Sequence, residues 1–276
     1  MAFPAQANGS PRAVRSSEGS FFWRKLSEHR TALWRTASIG LFFLAWEIAG
    51  RIPISFAFPT FLETLDAFIR MTLDGSFLAA YAQTLQPLVI GIAISAVIGV
   101  GLGIVMGLSR FAEWLIAPVF VVLQAAPMAA LIPLITFVYG IGLVSKTLAV
   151  IMLALPVIAL NGYKAVRNAN PSLVAMCYSF QGSWWQRIVK IIIPDASPVI
   201  FAGLRLGLAA GFIGVILAEL LITPTGIGDL ITYHRSVADY PEMYAAVVSI
   251  ILVSTLTLAA LEAFELRVLR PEKRRS

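Results

Sequence analysis

The segment Gly140-Ile-Gly-Leu-Val-Ser-Lys146-Thr147 imitates a phosphate-cradling loop, G-x-x-x-x-G-K-[ST], in which glycines let backbone N–H groups close around a phosphate. Ser145 stands where the second glycine is needed, and no soluble strand precedes the segment, so nucleotide binding is not expected there. Other chemistry is equally short of parts. Cys177 is the sole cysteine, His29 and His234 lie far apart, and neither supplies a metal-ligand spacing. There is no H-E-x-x-H, no DDxxD-like acidic pair and no Ser/His/Asp set in the apolar stretches. The sequence therefore offers no catalytic residue and no metal ligand, and the expectation is a protein that performs no covalent chemistry.

The elements that carry these residues belong in a bilayer. Hydrophobic residues make up 58% of the 276 and charged residues 13%, against about a quarter charged in soluble domains. No charge occurs from Asp74 to Arg110, from Glu113 to Lys146, or from Lys146 to Lys164, and each gap can hold a span of roughly 17–25 residues. The pattern predicts an all-α integral membrane protein with six transmembrane helices at about 33–50, 84–108, 114–138, 145–163, 199–222 and 243–266. No internal repeat is evident. Of the 21 Lys and Arg, 16 fall in the N-terminal arm, at Arg110, in the segment Lys164 to Lys190 and in the C-terminal tail. Cytoplasmic loops collect such charge, so both termini and that segment are expected in the cytoplasm of a bacterial cell, with the chain in its inner membrane. The net charge of +6 then serves orientation and lipid-headgroup contact, not nucleic-acid binding. Residues 1–30 read as a mobile cytoplasmic arm without a signal-peptide core, in which Phe21 to Lys25 could alternatively start a short interfacial helix. Residues 31–268 form the membrane domain, with a cytoplasmic loop at about 164–197, and 269–276 a basic tail.

Within the spans, Ser95, Gly99, Gly103 and Gly107 recur every four residues and share one helix face, a seam that lets another backbone approach closely. The partner is either another helix of the chain or a second copy. Pro118, Pro127 and Pro133 in the third segment and Pro156 in the fourth each remove a backbone donor and are candidate kinks. Kinks expose backbone groups and often accompany a pathway. A charge at mid-bilayer costs roughly 2.5–3.5 kcal/mol on insertion scales, which singles out Arg205 and Glu219. Arg205 is expected to snorkel toward the cytoplasmic surface. Glu219, just before the break at Pro224, Gly226 and Gly228, either lines a gate or caps the rim.

Between the fourth and fifth spans lies a polar island. Asn170 is a suitable N-cap and Pro171 suits the first helical position, where a missing N–H costs nothing. Leu173, Met176, Cys177 and Phe180 follow helical spacing and predict one apolar face on a three-turn helix. Gln181-Gly182-Ser183 ends it, Trp184 and Trp185 return the chain to the interface, and Pro194 and Pro198 are expected to separate a second short helix from the fifth span. An exposed amphipathic helix of this kind either lies in a partner's groove or lies flat on lipid.

The run Pro171-Ser-Leu-Val-Ala-Met-Cys-Tyr-Ser-Phe-Gln-Gly-Ser-Trp-Trp-Gln186, with Pro194-Asp-Ala-Ser-Pro198 and Gly203-Leu-Arg-Leu, resembles the Glu-Ala-Ala loop of binding-protein-dependent ATP-binding-cassette permeases. It departs at the core. Ala175-Met176-Cys177 stands in place of Glu-Ala-Ala, and Gln181 in place of a glycine that here comes one position later. Further landmarks are similar to permeases of the nitrate, sulfonate, taurine and bicarbonate type: Trp46-Glu47, Pro59-Thr60, Asp74-Gly75, Pro127 with Ala130 to Leu134, Tyr139 to Gly142 followed by Ser145-Lys146, and Ala218 to Leu220 with Gly226 to Gly228. They cover about residues 35–268, and their order and spacing carry more weight than any one of them.

The resemblance implies a type I importer in which two copies of the permease, or this chain and a related one, join a cytoplasmic ATPase dimer and an external substrate-binding protein. ATP and Mg would be bound by the ATPase; this chain would hold no cofactor. The helix 171–182 becomes the ATPase-docking coupling helix, with Pro171, Leu173, Met176, Phe180, Gln181, Gly182 and Ser183 as its site residues, and Gln124, Met128 and Glu219 are candidates for the translocation pathway. The substrate implied is a small anion of the sulfonate, taurine, nitrate or bicarbonate class. Gln124 in a place where many oxoanion permeases carry Arg, together with Tyr139, keeps a heterocycle such as a thiamin-precursor pyrimidine in play. An ion-coupled secondary transporter, the competing class, would carry more intramembrane ionisable groups.

Overall fold

The computed structural model describes residues 34–269 apart from 35, 53, 54 and 223, so the expected arm at 1–30 and nearly all of the basic tail lie outside the described residues. The chain divides into two units, residues 1–61 and 62–276. In the first, helix α1 (36–51) carries Trp46, whose indole N–H donates to the Pro59 carbonyl at 3.2 Å, and Gly50 lets that helix approach the backbone of Pro59 and Thr60.

All the regular elements of the second unit are helices among its described residues. Its elements are α2 (Phe61–Leu73, from its second residue), α3 (Ser76–Leu108), α4 (Arg110–Ala125), α5 (Met128–Tyr139), α6 (Leu143–Arg167), α7 (Pro171–Ser179), α8 (Trp184–Arg187), a π-helical turn Ile188–Ile192, α9 (Ile193–Leu221), α10 (Ile227–Ser236) and α11 (Tyr240–Leu269). Four segments are long and apolar enough to cross a membrane: α3, α6, the continuous run Trp184–Leu221 and Tyr240–Arg267. The third expected span is a broken one. It forms α4 and α5, bent by 101°. Against the six spans expected, the described residues hold four helices of that length and apolarity, or five with the bent pair; α1 stands where the first span was expected but is not among them, and α2 and α10 are additional short helices that the charge gaps did not reveal.

The break between α4 and α5 has a local cause. A residue before proline is pushed out of the helical region, and Ala126 is extended at φ −68°, ψ 136° immediately before Pro127. Pro118, Pro133 and Pro156, read above as candidate kinks, lie inside α4, α5 and α6 without ending them. Pro194 and Pro198 do not isolate a short helix either: they stand in the first turns of α9, which the wider π turn joins to α8 as one span.

The core is built on α6, flanked by α3 and α9. The α3 seam faces α6 of the same chain. A Cβ on Gly99 would meet the Ile158 side chain at 2.9 Å; on Gly103, the Ala159 carbonyl oxygen at 2.8 Å and the Gly162 backbone at 3.0 Å; on Gly107, Val166 at 2.5 Å. Ser95 is fully buried in the same row. α9 meets α6 in the same manner through Gly207 against Ile158 and Gly214 against the Ala149 carbonyl oxygen. In a bilayer, where apolar burial between helices gains little, such close backbone packing supplies much of the association.

Candidate functional site

Two polar constructions sit at opposite ends of this core. At one end, beyond the last turn of α6, the chain enters α7. The Asn170 side chain accepts from the Ser172 N–H at 2.9 Å, Pro171 occupies the first turn, and the Asn170 N–H donates to Asp195 of α9 at 2.7 Å, so α7 is tied to the base of a spanning helix. Its exit is a Schellman closure: the Gln181 N–H bonds the Tyr178 carbonyl and the Gly182 N–H the Cys177 carbonyl, both at 2.9 Å. That closure needs a left-handed residue, and Gln181 supplies it at φ 54°. The glycine one step later has a different task, since a Cβ on Gly182 would lie 2.4 Å from the Cys177 sulfur. Ser183 and Gln186 then form a reciprocal capping box that starts α8, and the Arg187 guanidinium lies 4.8 Å from the Tyr178 ring centroid.

The faces of α7 differ from the expected single stripe. Cys177 is 9% exposed and, with Val174, turns inward, Val174 packing on the cluster that holds Ile188 and Ile192. Leu173, Met176 and Phe180 are exposed, Phe180 at 80%. Cys177 thus leaves the apolar face assigned to it: a helix of nine residues held on two sides must bury one edge against its own bundle and present the other. Trp184 and Trp185 are exposed as well.

At the other end, Glu219 of α9 is 2% exposed and fully engaged. Its Oε1 accepts from Lys146 Nζ at 2.9 Å; the Thr84 hydroxyl lies 3.0 Å from both carboxylate oxygens; the Gly228 N–H donates to Oε2 at 3.0 Å. Lys146 spends its other two protons on Thr225, at the carbonyl oxygen (2.9 Å) and hydroxyl (3.0 Å), and the Ile227 N–H reaches Thr84 Oγ1. Every ammonium proton and both carboxylate oxygens are occupied. The loop from α9 to α10 wraps this pair closely: Gly226 is left-handed at φ 96°, and a Cβ there would fall 2.1 Å from Glu219 Oε1. Sequence reading met Lys146 as part of the phosphate-loop imitation at the start of the fourth expected span, without a partner, and did not single out Thr84. The available signal was that Lys146 and Glu219 are lone opposite charges in apolar surroundings, which in membranes pair with one another.

Of the pathway candidates, Gln124 is exposed near the end of α4, Met128 is buried at the start of α5 across the bend, and Glu219 lies in the closed network. Glu219 bonds Thr84, Lys146 and Gly228, not Gln124 or Met128. Arg205 does not reach for solvent alone; it pairs with Glu265 at 2.5 Å and Glu262 at 3.3 Å on α11. No cluster of metal-ligating side chains occurs among the described residues.

Residues 99–270, which include α6 to α11 and the α7 turn, match the family described as binding-protein-dependent transport system inner membrane component. The chain belongs to that family. It is an importer permease of the ATP-binding-cassette class and a multi-pass membrane protein. This permease is similar to SsuC of Bacillus subtilis (strain 168), provisionally assigned to aliphatic sulfonates transport, at 26% identity over 82% of each chain. It is similar to RibX of Chloroflexus aurantiacus, a riboflavin transport system permease protein, at 34% identity over 58% of this chain and 59% of the relative. It is also similar to ThiX of Halalkalibacterium halodurans, a formylaminopyrimidine transport permease protein, at 26% identity over 82% of this chain and 92% of the relative.

Proposed function

We propose that two copies of this permease in the bacterial inner membrane form the translocation unit of an ATP-driven importer, with both termini cytoplasmic, an ATPase dimer docked on α7 and an external binding protein delivering the solute. The observation that carries this reading is the exposed apolar edge of α7, Leu173, Met176 and Phe180, on a helix that is fastened to α9 through Asn170 and Asp195. Such a helix transmits a push to the bundle. Closure of the ATPases would favour one state of the permease, and what matters energetically is that ATP binds the two states with different affinity. ATP and Mg belong to the partner in this scheme, and the permease itself contributes docking, gating and passage.

The solute class best supported is a small sulfonate-type anion, on the likeness to SsuC across 82% of both chains. A heterocyclic solute is the second reading, favoured by the names of RibX and ThiX and by the pairing of the buried Lys146 and of Arg205 with carboxylates. Gln124, Met128 and Glu219 remain the proposed pathway and gate residues, Glu219 as the residue that holds the end of α9 closed. Proteoliposomes carrying the permease, its ATPase and its binding protein test the scheme: uptake of radiolabelled alkanesulfonate should require internal ATP and persist when ion gradients are collapsed. Uptake driven by an ion gradient without ATP would contradict it, and uptake of a pyrimidine or flavin in place of the sulfonate would select the second solute class.

A further inference from the structure

At the α7 end of the core, a cavity of about 470 Å3 is lined by Arg110, Glu113, Trp114 and Arg167. It shares Glu113 and Trp114 with a second cavity of about 690 Å3 that runs along α4 over Pro118, Val121 and Val122. The first is cationic. Arg167 lies 3.8 Å from Glu113, whose Oε1 also accepts from the Tyr163 hydroxyl at 2.5 Å, while Arg110 has no carboxylate partner among the described residues. The second is apolar. We propose that the two together are a binding site for one anionic phospholipid.

Charge, length and lining agree on this occupant. Two guanidinium groups against one carboxylate leave the mouth positive, and basic pockets between membrane helices hold anionic headgroups. Trp114, exposed at the junction of the two cavities, has the amphipathic ring that favours the headgroup level. From Arg110 to Val122 the helix rises roughly 18 Å at 1.5 Å per residue, close to the ~15 Å that one leaflet contributes to the hydrocarbon core. A lipid phosphate at Arg110 would thus place its acyl chain along Pro118, Val121 and Val122. Below Trp114 the groove is lined by Ala117, Pro118, Val121 and Val122, an apolar bed that suits an acyl chain.

The test is native mass spectrometry of the full-length permease dimer, equilibrated in mixed micelles with dioleoyl phosphatidylglycerol or dioleoyl phosphatidylcholine. The dimer should retain phosphatidylglycerol in preference, and Arg110→Gln should cut that preference about fivefold, as should Arg167→Gln. Val121→Trp, which fills the groove, should lower retention of the lipid but not binding of glycerol 3-phosphate at the mouth. Arg51→Gln, in the other unit, should change nothing. Equal retention of the two lipids, an Arg110→Gln dimer that is monodisperse and keeps the full preference, or a dimer whose second copy occludes the groove would each overturn the proposal.

Discussion

At the residue scale, Lys146 and Glu219 form a pair that neither could leave without cost. Breaking a buried ion pair by removing one partner costs about 3–5 kcal/mol, because the other charge is left uncompensated. Lys146→Met and Glu219→Leu are each expected to lower the apparent melting temperature of the detergent-solubilised permease sharply. The double variant should lose clearly less than the sum, since partners in one network are not additive. Additive losses would mean the two groups do not interact. Gln181 and Gly182 make a second contrast. A left-handed conformation costs a non-glycine residue about 1–2 kcal/mol, so Gln181→Gly is expected to raise the stability of the α7 turn, whereas Gly182→Ala drives a methyl into the Cys177 sulfur and should destabilise it, with relief from an added Cys177→Ala. Hydrogen exchange of the turn amides reads both effects. The glycine that the resemblance led one to expect at the position of Gln181 thus has a physical explanation in φ 54°, while the polar island alone showed only that the helix must end there.

At the element scale, the glycine row on α3 was legible as a seam because its spacing is a property of the helix, not of its neighbours. The identity of the partner was not legible, since a row of small residues fits a helix of the same chain or of another copy equally well. The structure gives α6 as what that row faces. Gly103→Leu is expected to prevent recovery of folded permease or to lower its melting temperature by many degrees, because both obstacles at that Cβ are backbone. Gly101→Leu, two residues along the same helix where a Cβ meets nothing within 4 Å, should leave the protein unchanged. Equal behaviour of the two variants in a thermal melt and size-exclusion profile would refute the seam. Prolines were harder to read. Only Pro127 of the four candidates separates two helices, because Ala126 is extended, and Pro194 follows a π turn that carries the span onward. Sequence shows that a donor is missing; whether the helix breaks depends on the backbone of the residue before it and on what packs around it.

At the scale of the whole molecule, the charge gaps and the basic clusters disclosed a helical membrane protein, and the ordered landmarks disclosed its family. They did not disclose how lone charges meet. Arg205 finds Glu262 and Glu265 some 60 positions away, and Lys146 finds Glu219, contacts that no local pattern encodes. The resulting design places a closed ionic latch at one end of α6 and α9 and a fastened, exposed helix at the other, so that force applied to α7 reaches both spans directly. The exposed edge of α7 is the proposed seat of the ATPase. The permease is co-expressed with its ATPase and captured by affinity, as wild type and as the Phe180→Asp, Gln181→Arg double variant. The account predicts that wild type retains the ATPase at one to one and that the variant, equally folded, loses it. Retention of the ATPase by the folded variant, or its absence from both forms, would contradict the docking role of α7.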